Sequence, residues 1–172
     1  MTMNTESAES QHQPMENCLA AIQSLLGLVI QHGRFALEFQ VRKTAAIDQP
    51  GGPAYVVDFT GADEDLLLEK NGALLDALET IVLKAVRLDE QYFGKISFDC
   101  HEFRQARGEE LKMMARVAAE RVIETGDSFA FNPMTARERR IVHLALKDQP
   151  QVRTESQGYG SERRVVIVPV SK

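Results

Sequence analysis

A chain of 172 residues, 44% hydrophobic and 26% charged, is long enough to bury a sizeable core in one or two compact domains. Cys18 and Cys100 lack any metal or redox spacing, the N-terminus lacks a basic-then-apolar leader, and no apolar run is long enough for a bilayer. The expected setting is therefore cytoplasmic, with free thiols and no membrane insertion. The net charge of −5 argues against a polyanionic partner until it is divided along the chain. Residues 1–125 hold 12 Lys/Arg and 20 Asp/Glu, a net of −8, whereas residues 126–172 hold 8 and 5, a net of +3.

Residues 1–15 are polar, contain Pro14, and are expected to form a disordered tail. Leu19, Ile22, Leu26 and Val29 then recur at helical spacing over Glu16–His32, with Gly33 as a stop. Phe35–Val41 alternates apolar and polar residues and predicts a strand, followed by a Pro/Gly-rich loop over Lys43–Pro53 and a partner strand at Ala54–Phe59. A short helix over Gly61–Leu68 breaks at Glu69-Lys70-Asn71-Gly72. A second follows over Ala73–Leu88, with Leu74, Leu78, Ile81, Ala85 and Leu88 on one stripe, and Lys95–Cys100 predicts a third strand.

Glu102–Thr125 predicts a long helix containing Leu111, Met114, Val117, Ala118, Arg121 and Val122, with Gly126 at its end. Phe129–Phe131 suits a short strand. Gln151–Ser156 and Arg163–Val168 suit a hairpin joined by a Gly158/Gly160 loop. Between them lies Thr135–Lys147, where Thr135 and Glu138 have the spacing of a capping box. On that helix Arg139, Arg140, His143 and Lys147 gather within about a third of the circumference, and Ile141, Val142, Leu144, Ala145 and Leu146 fall on the other side. An ordinary solvated face mixes both signs of charge; this one is purely basic or imidazole, as a surface meeting phosphate would be. The boundary between modules is placed near residues 100–101, giving segments 1–15, 16–100 and 101–172.

The element order of residues 16–100 resembles a type II KH domain, helix–strand–strand–helix–helix–strand. Its GXXG loop clamps backbone nucleotides of a single strand. The equivalent stretch here is Leu67-Leu68-Glu69-Lys70-Asn71-Gly72, followed by Leu75-Asp76-Ala77-Leu78. Lys70 and Gly72 are the loop positions that the resemblance marks as nucleic-acid contacts. Glu69 replaces the first glycine, adding a side chain and a negative charge where backbone should approach phosphate. Asp63, Glu64 and Asp65 add to the repulsion, so this half is expected to bind nucleic acid weakly or not at all and to serve mainly for dimerisation.

The second half resembles an R-three-H domain, named for an arginine and a histidine separated by three residues. Arg139 and His143 carry that signature, with Asn132-Pro133-Met134 before it and Val152, Thr154, Ser156, Gly158 and the run Arg163-Arg164-Val165-Val166-Ile167 after it. The two modules in this order resemble the bacterial Jag (SpoIIIJ-associated) family of RNA-binding proteins linked to cell elongation and division. Members often carry a further N-terminal Jag domain, for which no room is expected here. The resemblance covers about residues 16–169. It implies an α+β chain, a KH domain (αββααβ) followed by a small R-three-H domain with a three-stranded sheet.

The nucleic-acid contacts expected in the second half are Arg139, Arg140, His143, Lys147, Arg153, Thr154, Ser156, Arg163 and Arg164. Arg163 and Arg164 point to opposite faces, so one of them should lie beside the basic helix. Asp99, Cys100, His101 and Glu102 cluster in sequence, but strand neighbours alternate and no second cluster completes four ligands, so no metal is expected. His143 has no nucleophile or carboxylate in catalytic reach, so no enzyme and no cofactor are expected. The partner expected is single-stranded RNA or DNA. The alternative is a scaffold whose KH half pairs with itself or with a second small KH protein.

Overall fold

The computed structural model describes residues 6–44, 52–87, 92 and 94–170, with side chains from Met15 onward. The chain divides into two compact units between Phe103 and Arg104. The first contains helix α1 (Glu6–Gly33), strands β1 (Leu37–Lys43) and β2 (Tyr55–Gly61), helix α2 (Glu64–Ala85) and strand β3 (Ile96–Asp99). β1 and β2 are antiparallel, with Phe39 opposite Phe59, and β2 and β3 are parallel, with Val57 opposite Phe98. Ile22 and Leu26 of α1 and Leu67, Leu75 and Val82 of α2 cover this sheet, filling the core with Val57, Phe59, Ile96 and Phe98.

α2 is two helices interrupted by one turn. Glu69 is extended (φ −55°, ψ 149°), and Lys70, Asn71 and Gly72 are left-handed, with φ of 51°, 60° and 78°. The order helix–strand–strand–helix–helix–strand is thus present, with the break at the four residues aligned to GXXG.

Two differences from the expected pattern concern helix faces and ends. The expected tail is helical from Glu6, a stretch that includes the good helix formers Ala, Glu and Gln and continues through Pro14; residues 1–5 lie outside the described residues. In α2 the buried stripe is Leu75 and Val82 with Leu78 half-buried, one residue out of phase with the expected one, and Ile81 is exposed. The left-handed turn at 70–72 sets the helix's rotation, which periodicity alone cannot supply. Leu88 and most of the 43–53 loop lie outside the described residues.

The second unit takes in α3 (Phe103–Thr125), β4 (Phe129–Ala130), α4 (Ala136–Ala145), β5 (Val152–Gln157) and β6 (Arg164–Pro169). β6 is central, antiparallel to β4 on one side and β5 on the other, so the three-stranded sheet is formed. Leu111, Ala115, Ala118, Ala119 and Val122 make one face of α3 and belong to the core of this unit. Met114 and Val117 lie off that face and are exposed. Val142 and Leu146 bring α4 onto Val152, Val165 and Ile167.

Candidate nucleic-acid interface

α4 starts where the sequence marks it. Thr135 is extended, its hydroxyl accepts from Glu138 N–H at 3.3 Å, and Glu138 Oε2 accepts from Thr135 N–H at 2.9 Å. Glu138 also reaches outside its helix, accepting from Arg107 Nε on α3 at 2.9 Å with Oε1. Arg107 in turn donates to Glu110 at 2.6 Å. Glu138 is buried, so this charged pair locks α4 to α3, a link invisible to local sequence reading.

The helix ends at Ala145, two residues before Lys147. Buried Leu146 caps it with φ −112° and ψ 5°, and Lys147 sits in the following turn, 3.9 Å from Asp148. The basic stripe on the helix proper is therefore Arg139, Arg140 and His143. Arg140 is exposed. Arg139 is half-buried and donates from Nη1 to Met134 O at 3.0 Å, which explains how the residues just before the helix position the arginine. Leu144, expected on the apolar side, is 53% exposed. It follows Arg140 by one helical turn and puts apolar surface beside the guanidinium.

His143 is the centre of the arrangement. Its Nδ1 lies 2.6 Å from Thr154 Oγ1 and its Nε2 lies 2.9 Å from Ser156 Oγ. Thr154 and Ser156 alternate along β5 and so share a face, the one that carries Val152 into the core and meets α4. Burial, and then the charge of Arg139, hold the imidazole below its ordinary range, so it is neutral near pH 7. A neutral ring has one N–H and one acceptor nitrogen. One hydroxyl must then donate to the ring, while the other accepts from it and keeps its own O–H to donate outward. Arg139, His143, Thr154 and Ser156 together form a small cationic surface with a hydroxyl donor.

The other arginines divide by strand alternation. Arg153 falls on the face opposite Thr154 and pairs with Glu155 at 3.0 Å. Arg164 stands opposite Gln157 on that same far face and lies 3.8 Å from Glu162. Arg163 alternates with Arg164 and is exposed, and its carbonyl accepts from Met134 N–H at 3.1 Å. Of the three, Arg163 therefore sits nearest the α4 lead-in. Tyr159, at the hairpin end, is 92% exposed.

In the first unit Lys70 is exposed at the break in α2. Gly72 is buried instead, and a Cβ there would meet the Phe103 ring at 2.6 Å. Its lack of a side chain is used to pack Phe103, and it offers no open backbone to a ligand.

The family model of the R-three-H domain matches residues 109–169. An RNA-binding protein KhpB of Clostridium symbiosum is 33% identical over 111 residues, covering 64% of this chain and 50% of the relative. The KhpB of Bacillus subtilis (strain 168) is 34% identical over 110 residues, covering 63% and 53%.

Residues 109–169 match the R-three-H domain, and the chain is similar to RNA-binding proteins named KhpB.

A third relative, the KhpB of Lactiplantibacillus plantarum, is 29% identical over 125 residues, covering 72% of this chain and 39% of the relative. The chain thus spans about half the length, or less, of the relatives it matches. The R-three-H domain contains both the α3 face that seats α4 and the whole His143–Thr154–Ser156 arrangement. Among the described residues no helix is long and apolar enough to cross a membrane.

Proposed function

We propose that this chain binds single-stranded nucleic acid, RNA in preference to DNA, through the R-three-H domain. The observation that carries the reading is the junction of α4 and β5, where Arg139, a neutral His143 and the Thr154 and Ser156 hydroxyls share one surface. Guanidinium groups and hydroxyls are the donors that phosphate oxygens take. Arg140, Arg163 and Lys147 extend the positive charge around it, and exposed Leu144 and Tyr159 supply apolar and aromatic surface for bases. Arg153 and Arg164, on the far face, contribute only long-range attraction. Three relatives whose names describe them as RNA-binding favour RNA as the strand. The family's link to cell elongation and division is where the bound RNAs should be sought.

The test is a titration of single-stranded RNA, single-stranded DNA and duplex at two salt concentrations. The double variant Arg139→Ala/Arg140→Ala should bind single-stranded RNA at least about tenfold more weakly. Its salt slope should be shallower by about 0.7 per lost phosphate contact. A double variant that binds like the parent would remove α4 from the interface.

A second reading, a scaffold in which the first unit pairs with a copy of itself or with another KH protein, has its own observation. Leu28 of α1 is 50% exposed and Ile81 of α2 is 60% exposed, and Glu69 stands where the loop should approach phosphate. Light scattering of the full chain over a concentration series tests self-pairing. A monomer throughout, unchanged by Ile81→Lys, rules it out.

A further inference from the structure

The geometry points to a metal site in the first unit: Glu64, Cys100 and His101 form a three-ligand site for a zinc-class divalent cation. The carboxylate oxygen of Glu64, the thiol sulfur of Cys100 and a ring nitrogen of His101 all lie within 4.8 Å of one another. A tetrahedral zinc ion holds S, N and O donors roughly 3.3–3.8 Å apart, given bonds of about 2.0–2.3 Å. Closing the triad therefore takes about 1 Å of movement, within reach of a rotation of exposed His101. Three protein ligands leave a fourth position for water. Sulfur and imidazole nitrogen select zinc, cobalt or copper over magnesium and calcium, which prefer oxygen.

The sequence argues against a metal here because strand neighbours alternate and no second cluster completes four ligands. The structure removes the first objection and supplies one further donor, for three in all. β3 ends at Asp99, and His101 and Glu102 turn left-handed, with φ of 51° and 56°. That turn brings His101 round to the side of Cys100, and such backbone strain in bulky residues persists only where the surroundings hold it. The third donor, Glu64, comes from the first turn of α2, distant in sequence. It is already oriented, accepting from Gly61 N–H at 3.2 Å and pairing with His101 Nε2 at 2.9 Å.

The surroundings suit a cation. Cys100 is wholly buried and its thiol is not in a disulfide. Asp58 Oδ1 is a buried oxygen without a hydrogen-bond partner. Binding would release the thiol proton to solvent, replace the His101–Glu64 contact by two bonds to the ion, and tie the start of α2 to the turn after β3.

Cobalt is the probe, because tetrahedral cobalt absorbs in the visible and a cobalt–thiolate bond adds a charge-transfer band. The full chain, freed of metal by chelator dialysis, should take up one equivalent of Co²⁺ with both signals, and Zn²⁺ should displace it. Cys18→Ser, which leaves the triad intact, should bind like the parent. His101→Ala, at an exposed position, should bind at least about tenfold more weakly. Cys100→Ser should lose the charge-transfer band. If that variant fails to fold, Glu64→Gln and His101→Ala carry the test, with circular dichroism as the folding control. Absence of a visible cobalt spectrum overturns the site, as does a charge-transfer band that survives Cys100→Ser or disappears in Cys18→Ser. RNA affinity does not enter any of these readouts.

Discussion

His143 shows how much a single residue can owe to its neighbours. In the sequence it is one member of a basic stripe. In the fold both ring nitrogens are engaged by β5 hydroxyls, so in the proposed interface the imidazole would orient donors more than add charge. Removing the hydroxyls tests this. Thr154→Val with Ser156→Ala should weaken RNA binding several-fold in direct titration while leaving the circular dichroism spectrum unchanged.

A pH prediction follows from the same burial. The folded imidazole titrates below 6.5, its ordinary value, because burial and Arg139 oppose its charge. An unfolded chain then binds the proton more readily than the folded one, so acid favours unfolding. The stability held above pH 6.5 should be lost as pH falls through the lower folded value. Melting temperatures measured across that range should fall with acid in the parent, and part of that fall should vanish in His143→Gln.

Two turns decide how the elements present their residues. At α4 the capping box satisfies two free backbone donors, and Thr135→Ala should cost about 1 kcal/mol in denaturant unfolding. At α2 the break over 69–72 needs three consecutive left-handed residues. Gly72→Ala should be more costly than an ordinary glycine-to-alanine change. It adds a Cβ 2.6 Å from the Phe103 ring at a φ of 78°, a penalty of about 1–3 kcal/mol read by the same unfolding curve. Glu69, by contrast, is exposed and extended, so a neutral residue there should leave stability unchanged. Both turns were legible in the sequence, one from Thr135 and Glu138, the other from Asn71-Gly72 between two apolar runs. The Arg107–Glu138 lock was not, because its partners lie on different helices and only packing brings them together.

At the scale of the whole molecule, the described residues form two cores with no shared member, one around Phe59 and Phe98 and one around Leu111, Val142 and Ile167. A cavity in one should therefore be felt mainly there. Phe98→Ala should cost about 3–5 kcal/mol in the first unit. Hydrogen exchange should rise over β1–β3 while amides of β5 and β6 stay protected.

The sequence by itself determined the order of helices and strands, the start of α4, the charge reversal near its C-terminal third and the Arg139–His143 signature. Those are set by local periodicity, capping chemistry and spacing, which act over a few residues. Only the tertiary structure decided which side of each helix is buried and which arginines stand beside α4. It also decided that His143 meets Thr154 and Ser156, and that Glu64 meets Cys100 and His101. Each of those depends on a helix's rotation, a strand's register or a left-handed turn, and these are fixed by packing between segments far apart in the chain.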